Sequence, residues 1–121
     1  MILGLRTAIY PAQDLEAAKH WYSKVVGHDP YFDEPFYVGF EVGGFELGLV
    51  PDGMPGTTGP QPLWGVGSAT DFLHDVLALG AVLLDDIQDV GGGIKVGAVI
   101  DPFGNRLGFI ANPAFDPRKV R

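Results

Sequence analysis

The feature that most constrains this chain is an internal repeat that spans nearly its whole length. The segment VGFEVGGFELGLV at residues 38–50 matches VGAVIDPFGNRLGFI at 96–110 in its order of apolar, glycine and turn residues. Each segment follows a helical pattern that ends at a glycine, Gly27 in the first copy and Gly80 in the second. We therefore predict two modules of the order strand–helix–strand–strand–strand, which must pair to bury their sheets because two copies cannot form a solenoid.

Local signals in the first copy support these elements. The stretch LGLRTAIYP at 3–11 is apolar and ends at a proline, which is typical of a strand. Asp14 then stands at the N-cap position of LEAAKHWYSKVVG, whose apolar residues fall on one helical face. The turn-rich segment HDPYFDEP at 28–35 leads into two β-rich runs, and the pair Gly43-Gly44 between those runs predicts a tight hairpin.

The second copy begins after a segment that fits no regular element. PDGMPGTTGPQP at 51–62 has four prolines and three glycines, which predicts a linker. Ser68 or Thr70 can then cap a helix that closes at Gly80, and the strands AVLLDDI, IKVGAVI and RLGFIAN follow, with the GGG at 91–93 as a loop. We interpret residues 1–121 as one domain, with modules at about 3–50 and 62–112.

Composition excludes several classes of protein. Eight Lys and Arg against fifteen Asp and Glu give a net charge of −7, which repels nucleic acid and favours cationic ligands on encounter. No apolar run approaches the roughly 20 residues of a membrane span, and the N-terminus lacks the pattern of a signal peptide, so we expect a cytoplasmic protein. The absence of cysteine excludes thiol catalysis, disulfides and thiolate metal sites.

The order βαβββ-βαβββ, together with YPAQDLEAAKHWYSKVVGHDP and DPFGNRLGFI, resembles the vicinal oxygen chelate superfamily over residues 3–112. That superfamily includes glyoxalase I, extradiol dioxygenases and the bleomycin- and fosfomycin-resistance proteins. The resemblance implies an α+β fold in which each module curls a mixed sheet into an open trough with its helix outside. It also implies that the two troughs face each other, and we expect a homodimer.

The resemblance further implies four metal-ligand positions, on the first and last strands of each module. Thr7 stands where metal-binding relatives often have His, and Gln61 lies near the position on the fifth strand. Direct comparison with relatives places Glu46 at the third position, whereas the internal repeat pairs Gly48 with Gly108, which stands at the fourth. Residues 46 and 48 point to the same face of a strand, so Glu46 is expected to face the trough in either case.

These positions predict that no metal is bound. Gln61 and Glu46 are the only two of the four with suitable ligand atoms, and His20, His28 and His74 lie in or just after the helices. We therefore expect no cofactor, and a metal-dependent lyase or dioxygenase of the usual family type is disfavoured.

Glu46 is nevertheless the most distinctive candidate residue. A carboxylate between Phe45 and Leu47 can serve as a general base or as the counter-ion of a cationic ligand. The alternative is a structural salt bridge to Arg106, its approximate mirror in the second module. Aromatic walls for a ligand are expected among the strand residues Phe36, Tyr37, Phe40 and Trp64.

The sequence thus predicts a metal-free protein that binds or sequesters a small molecule in its trough. The expected ligand-binding residues are Thr7, Phe40, Glu46, Gln61, Trp64 and Arg106. One alternative is a lyase, isomerase or dioxygenase-like enzyme that uses Glu46 as base, or as a residual metal ligand with Gln61. A module without catalysis is the other.

Overall fold

The structure of the protein, a computed structural model, describes residues 1–119. These residues form two compact units: unit 1 comprises Met1–Pro55 with residues 116–119, and unit 2 comprises Gly56–Phe115. Each unit contains a four-stranded mixed sheet with one long helix packed on it. The prediction of an α+β fold built from two βαβββ modules is confirmed.

Unit 1 begins with a strand and a helix and continues with three strands. In chain order these elements are β1 (Thr7–Pro11), α1 (Leu15–Val26), β2 (Phe32–Glu34), β3 (Tyr37–Val42) and β4 (Phe45–Val50). The strands lie in the order β1-β4-β3-β2, with β1 parallel to β4 and the other pairs antiparallel. The parallel pair is possible because α1 supplies the crossover that such a pair needs.

Unit 2 repeats the same connectivity. Its elements are β5 (Leu63–Gly65), α2 (Ala69–Ala78), β6 (Val82–Asp89), β7 (Lys95–Ile100) and β8 (Arg106–Ala111). The strand order β5-β8-β7-β6 matches that of unit 1, and β5 is again parallel to β8. A short 3₁₀ helix at Pro117–Lys119 follows the last strand.

The caps of both helices are provided by the predicted residues. Asp14 accepts a hydrogen bond from the backbone N–H of Ala17 at 3.0 Å, and Gly27 ends α1 with a left-handed φ of 93°. Ser68, rather than Thr70, caps α2 by accepting from the backbone N–H three residues later at 3.2 Å. Within residues 1–119, no helix has the length and apolar character needed to cross a membrane.

The turn-rich segment before the first hairpin contains a strand that its pattern does not reveal. Residues 32–34 form β2, which pairs with β3 at the edge of the sheet and is exposed throughout. Three residues are too few to show a strand periodicity, so pairing with β3 decides their conformation. Lys19 of α1 reaches this edge with ion pairs to Asp33 and Glu16 at 3.1 and 2.7 Å, and these carboxylates raise the pKa of Lys19.

The pairing of strands also corrects the alignment of the two repeats by one residue. Comparison of VGFEV with VGAVI equates Val38 with the residue at 96, but Val38 lies opposite Leu49 and Gly97 lies opposite Phe109. Val38 therefore corresponds to Gly97. This correspondence fits the packing, because the larger Phe109 stands in place of Leu49 and needs the space above Gly97. A Cβ added to Gly97 would lie 2.6 Å from Cζ of Phe109.

Each sheet has one face covered by its helix and one face that the helix leaves uncovered. In unit 1 the covered face carries Val38, Phe40, Leu47 and Leu49, all buried, beneath α1. In unit 2 the Phe109 ring packs against Phe72 of α2 at a centroid distance of 5.0 Å. Alternation along the strands places every second residue on the opposite side, which we call the open face of each unit.

We expect Gly97→Ala to destabilise the protein by about 1–3 kcal/mol because the added methyl group overpacks a closed core. The matched control is Gly65→Ala in the same unit, where an added Cβ meets no atom within 4 Å. Chemical denaturation of both variants measures the difference. Equal stability of the two variants would show that Phe109 has room to move.

Candidate functional site

A carboxylate near the start of β4 forms the centre of a polar cluster on the open face of unit 1. Glu46 alternates with the buried Leu47, so its side chain points away from α1. In the register of the sheet it lies beside Thr7 of β1 and Glu41 of β3. The candidate ligand residues Thr7 and Glu46 are therefore direct neighbours.

Three hydroxyl groups donate hydrogen bonds to this carboxylate. Tyr37 Oη donates to Oε2 at 2.5 Å, Thr7 Oγ1 donates to the same oxygen at 3.3 Å, and Tyr31 Oη donates to Oε1. None of the ion pairs formed by residues 1–119 involves Glu46. We call Thr7, Tyr31, Tyr37 and Glu46 the Glu46 cluster.

Two strand glycines provide the space in which this cluster forms. A Cβ added to Gly48 would lie 2.1 Å from the Tyr37 hydroxyl oxygen, and one added to Gly39 would lie 2.8 Å from Glu46 Oε1. Both glycines are buried and lie opposite each other in adjacent strands. The Tyr37 and Glu46 side chains thus lie flat over bare backbone, a role that explains glycine inside a strand.

Exposed aromatic rings lie in the cluster and next to it. Tyr31 and Phe36 are each 66% exposed and Phe32 is 38% exposed. The Phe32 ring lies 6.0 Å from both Tyr37 and Phe36, with edge-to-face geometry. Tyr31 was not among the predicted residues, because it lies in the turn-rich segment and only folding brings it to Glu46.

The parallel strand pairs show which residues of unit 2 correspond to the cluster. Ile9 pairs with Gly48 in unit 1, and Leu63 pairs with Gly108 in unit 2. Two residues earlier in the chain, Gln61, just before β5, thus corresponds to Thr7, and Arg106 corresponds to Glu46. Unit 2 carries a cation at the position where unit 1 carries an anion.

Arg106 makes its ion pair within its own unit. Its Nη2 lies 2.5 Å from Asp85 Oδ2, and its side chain is 15% exposed. The Nε atom is buried and has no hydrogen-bond partner among residues 1–119. Gln61 is exposed and precedes β5.

The structure places two of the candidate aromatic residues on covered faces. Phe40 is 0% exposed and lies in the core of unit 1, with its ring 6.5 Å from His28. Trp64 is half-buried and pairs with Phe109, so it lies on the side of the sheet that faces α2. The open-face residue of β5 is instead Leu63, which lies beside Gly108.

The residues at the family's metal positions do not fit a divalent ion. They provide one hydroxyl, one carboxylate and one amide, and the fourth is Arg106 by strand pairing or Gly108 by the sequence comparison, neither of which is a ligand for a cation. The carboxylate oxygens of Glu46 already accept hydrogen bonds. No group of three or more His, Cys, Asp or Glu in the described part of the chain could hold a metal.

Two surface grooves lie apart from the cluster. The first, of about 810 Å³, is bordered by the acidic residues Asp14, Glu16, Asp33 and Glu34 of unit 1. The second, of about 690 Å³, lies at the start of α2 in unit 2 and includes Lys95 and Asp89. The Gly91 N–H and Lys95 lower the pKa of Asp89. Each groove thus contains carboxylates that are ion-paired to a lysine, Lys19 in the first and Lys95 in the second, whereas Glu46 forms no ion pair within residues 1–119.

A family model identifies the family of this chain, and solved structures show the likeness of its fold. The model of the glyoxalase/bleomycin resistance protein/dioxygenase superfamily matches residues 4–109. A glyoxalase-related enzyme from Fulvimarina pelagi is 20% identical, with a TM-score of 0.76 over 95% of this chain and 92% of its own. A putative glyoxalase family protein from Bacillus anthracis is 21% identical, with a TM-score of 0.74 over 93% and 97%.

A third structure, lactoylglutathione lyase from Agrobacterium tumefaciens, is 17% identical, with a TM-score of 0.71 over 93% of this chain and 97% of its own. The search of curated protein sequences finds no significant match. At these identities the three structures establish the likeness of fold.

We expect the protein purified without chelators to contain far less than one equivalent of transition metal, because the cluster offers only one anionic ligand. Elemental analysis by mass spectrometry measures the content. One equivalent of zinc, nickel, manganese or iron would contradict the assignment of the donor set.

We expect Gly48→Ala to displace the Tyr37 side chain. The loss of its hydrogen bond to the Glu46 carboxylate should lower the free energy of unfolding by about 1–3 kcal/mol. In a Tyr37→Ala background the same substitution should cost almost nothing, because the atom it strikes is absent. A double-mutant cycle by chemical denaturation measures this coupling. Additive costs would show that the two residues do not interact.

Proposed function

Since the chain belongs to the glyoxalase/bleomycin resistance protein/dioxygenase superfamily, we propose that it binds a small organic molecule without a metal ion. The proposed site is the Glu46 cluster on the open face of unit 1. The observation that carries this proposal is a carboxylate with three hydroxyl donors and no ion pair within the described chain.

The composition of the site supports ligand binding. Small-molecule sites combine apolar and aromatic walls with a few polar groups that fix orientation. Here the polar groups are one carboxylate and three hydroxyls, and the exposed Phe32 ring packs against Tyr37, with Phe36 next to Phe32. The glycines beneath the cluster keep this polar centre close to the sheet.

The hydrogen bonds of Glu46 favour binding over proton abstraction. An ionised carboxylate has about four lone-pair positions, and three hydroxyls already occupy three of them. A general base needs a free lone pair aimed at the proton it removes. The hydroxyls instead orient the carboxylate as a fixed negative group, which suits recognition of a ligand.

We expect Glu46→Gln to keep the fold and weaken ligand binding by about tenfold or more, equivalent to about 1.4 kcal/mol. A thermal-shift screen of a chemically diverse library of small molecules identifies ligands, and amide NMR titration then locates their binding sites on the chain. Asp52→Asn is the matched control, because it removes a carboxylate of the same unit that is exposed and outside the cluster.

Two results would count against this function. The first is a ligand whose perturbed amides all lie far from residues 7, 31, 37 and 46. The second is equal affinity for the Glu46→Gln and Asp52→Asn variants. Turnover of a bound compound that Glu46→Gln abolishes would instead identify an enzyme with Glu46 as its base.

A further inference from the structure

We infer that the ligand of the Glu46 cluster is an organic cation, an alkylammonium or quaternary ammonium group attached to an apolar body. This inference rests on the proposed function and adds the chemical class of the ligand. Three observations lead to it: carboxylates without an ion pair on the open face of unit 1, exposed aromatic rings near them, and apolar surface on the same face.

The open face of unit 1 carries two carboxylates, and neither forms an ion pair with a cation among residues 1–119. Glu46 and Glu41 lie directly opposite each other on adjacent antiparallel strands, and like charges in that position destabilise a sheet. The Glu41 carboxylate accepts one hydrogen bond, from the backbone N–H of Gly44 at 2.6 Å. The basic residue next to Thr7, Arg6, donates to the carbonyl oxygen of Leu5 at 3.2 Å. A bound cation would relieve the repulsion between the two glutamates.

The aromatic residues specify what kind of cation fits. Alkylammonium and quaternary ammonium groups are attracted to the faces of Tyr and Phe rings, and clusters of such rings are a recurrent way to bind them. Tyr31 and Tyr37 contact Glu46 directly. A row of rings continues from Tyr37 to Phe32 and then to Phe36, with separations of 6.0 Å. A small hydrated metal ion would gain little from these rings.

Apolar surface is available for the rest of the ligand. Ile9 is 55% exposed and lies beside Gly48, on the same face as the cluster. The absence of a side chain at Gly48 leaves the Tyr37 ring as the nearest wall. The net charge of −7 further raises the encounter rate with cations at low ionic strength.

The test compares a cation with its neutral isostere. Choline and 3,3-dimethylbutan-1-ol have nearly the same shape and differ in the charge of one atom. Benzyltrimethylammonium adds an aromatic body to the same charged group. Amide NMR titration of the full chain at low salt measures the dissociation constants and locates the shifts.

We expect both cations to shift amides around residues 7, 31, 37 and 46, and to bind about tenfold or more tightly than the neutral alcohol. Glu46→Gln should remove this preference for the cations over the alcohol. Phe36→Leu should weaken the binding of the cations, because it removes the ring while keeping apolar surface. Asp52→Asn, which removes the same charge elsewhere in unit 1, should leave both dissociation constants unchanged.

The possible failures are distinguishable. Equal binding of choline and its neutral isostere, or no shift with either cation, would overturn the inference. If neutral or anionic compounds from the screen bind at the Glu46 cluster, the ligand class is wrong and the proposed function stands. If no compound of any charge perturbs the cluster, both are wrong.

Discussion

The parallel pairing of the first and last strand of each module is the constraint on which the rest of the structure depends. In unit 1 it joins Thr7 to Glu46 across 39 residues, with α1 as the crossover that makes a parallel pair possible. Once this register is set, alternation assigns the residues of the paired strands β1, β3 and β4 to the covered or the open face. The buried core and the Glu46 cluster are therefore two consequences of one pairing.

The same pairing in unit 2 keeps the backbone arrangement and changes its chemistry. Arg106 occupies the position of Glu46, and its charge is balanced by Asp85 within the unit. The open face of unit 1 instead carries a carboxylate held by hydroxyls, beside exposed aromatic rings. Duplicated modules thus share a fold while their open faces have diverged, which is why the two halves of the chain must be considered separately for function.

Sequence patterns predicted the elements whose signals are local. The caps at Asp14 and Ser68 depend on hydrogen bonds to a backbone N–H three residues on, and the hairpin depends on Gly43-Gly44, so short windows of sequence contain the information. The edge strand β2, which the βαβββ order requires, was not located in the sequence because three exposed residues show no periodicity. The sequence comparison misaligned the repeat by one residue at Val38. Its equivalence to Gly97 becomes visible only once the strand partners are known, Leu49 for Val38 and Phe109 for Gly97.

By itself, the sequence determined the α+β class, the two βαβββ modules and a carboxylate at position 46, since periodicity, caps and an internal repeat are properties of the chain in order. It also showed that only two of the four metal positions, Glu46 and Gln61, carry suitable ligand atoms, because residue type alone decides which donor atoms exist. Only the tertiary structure decided that Tyr31 and Tyr37 bind Glu46 and that Phe40 belongs to the core. Those outcomes depend on strand register and on the space above Gly39 and Gly48, which arise when distant segments pack and leave no periodic signal in the sequence.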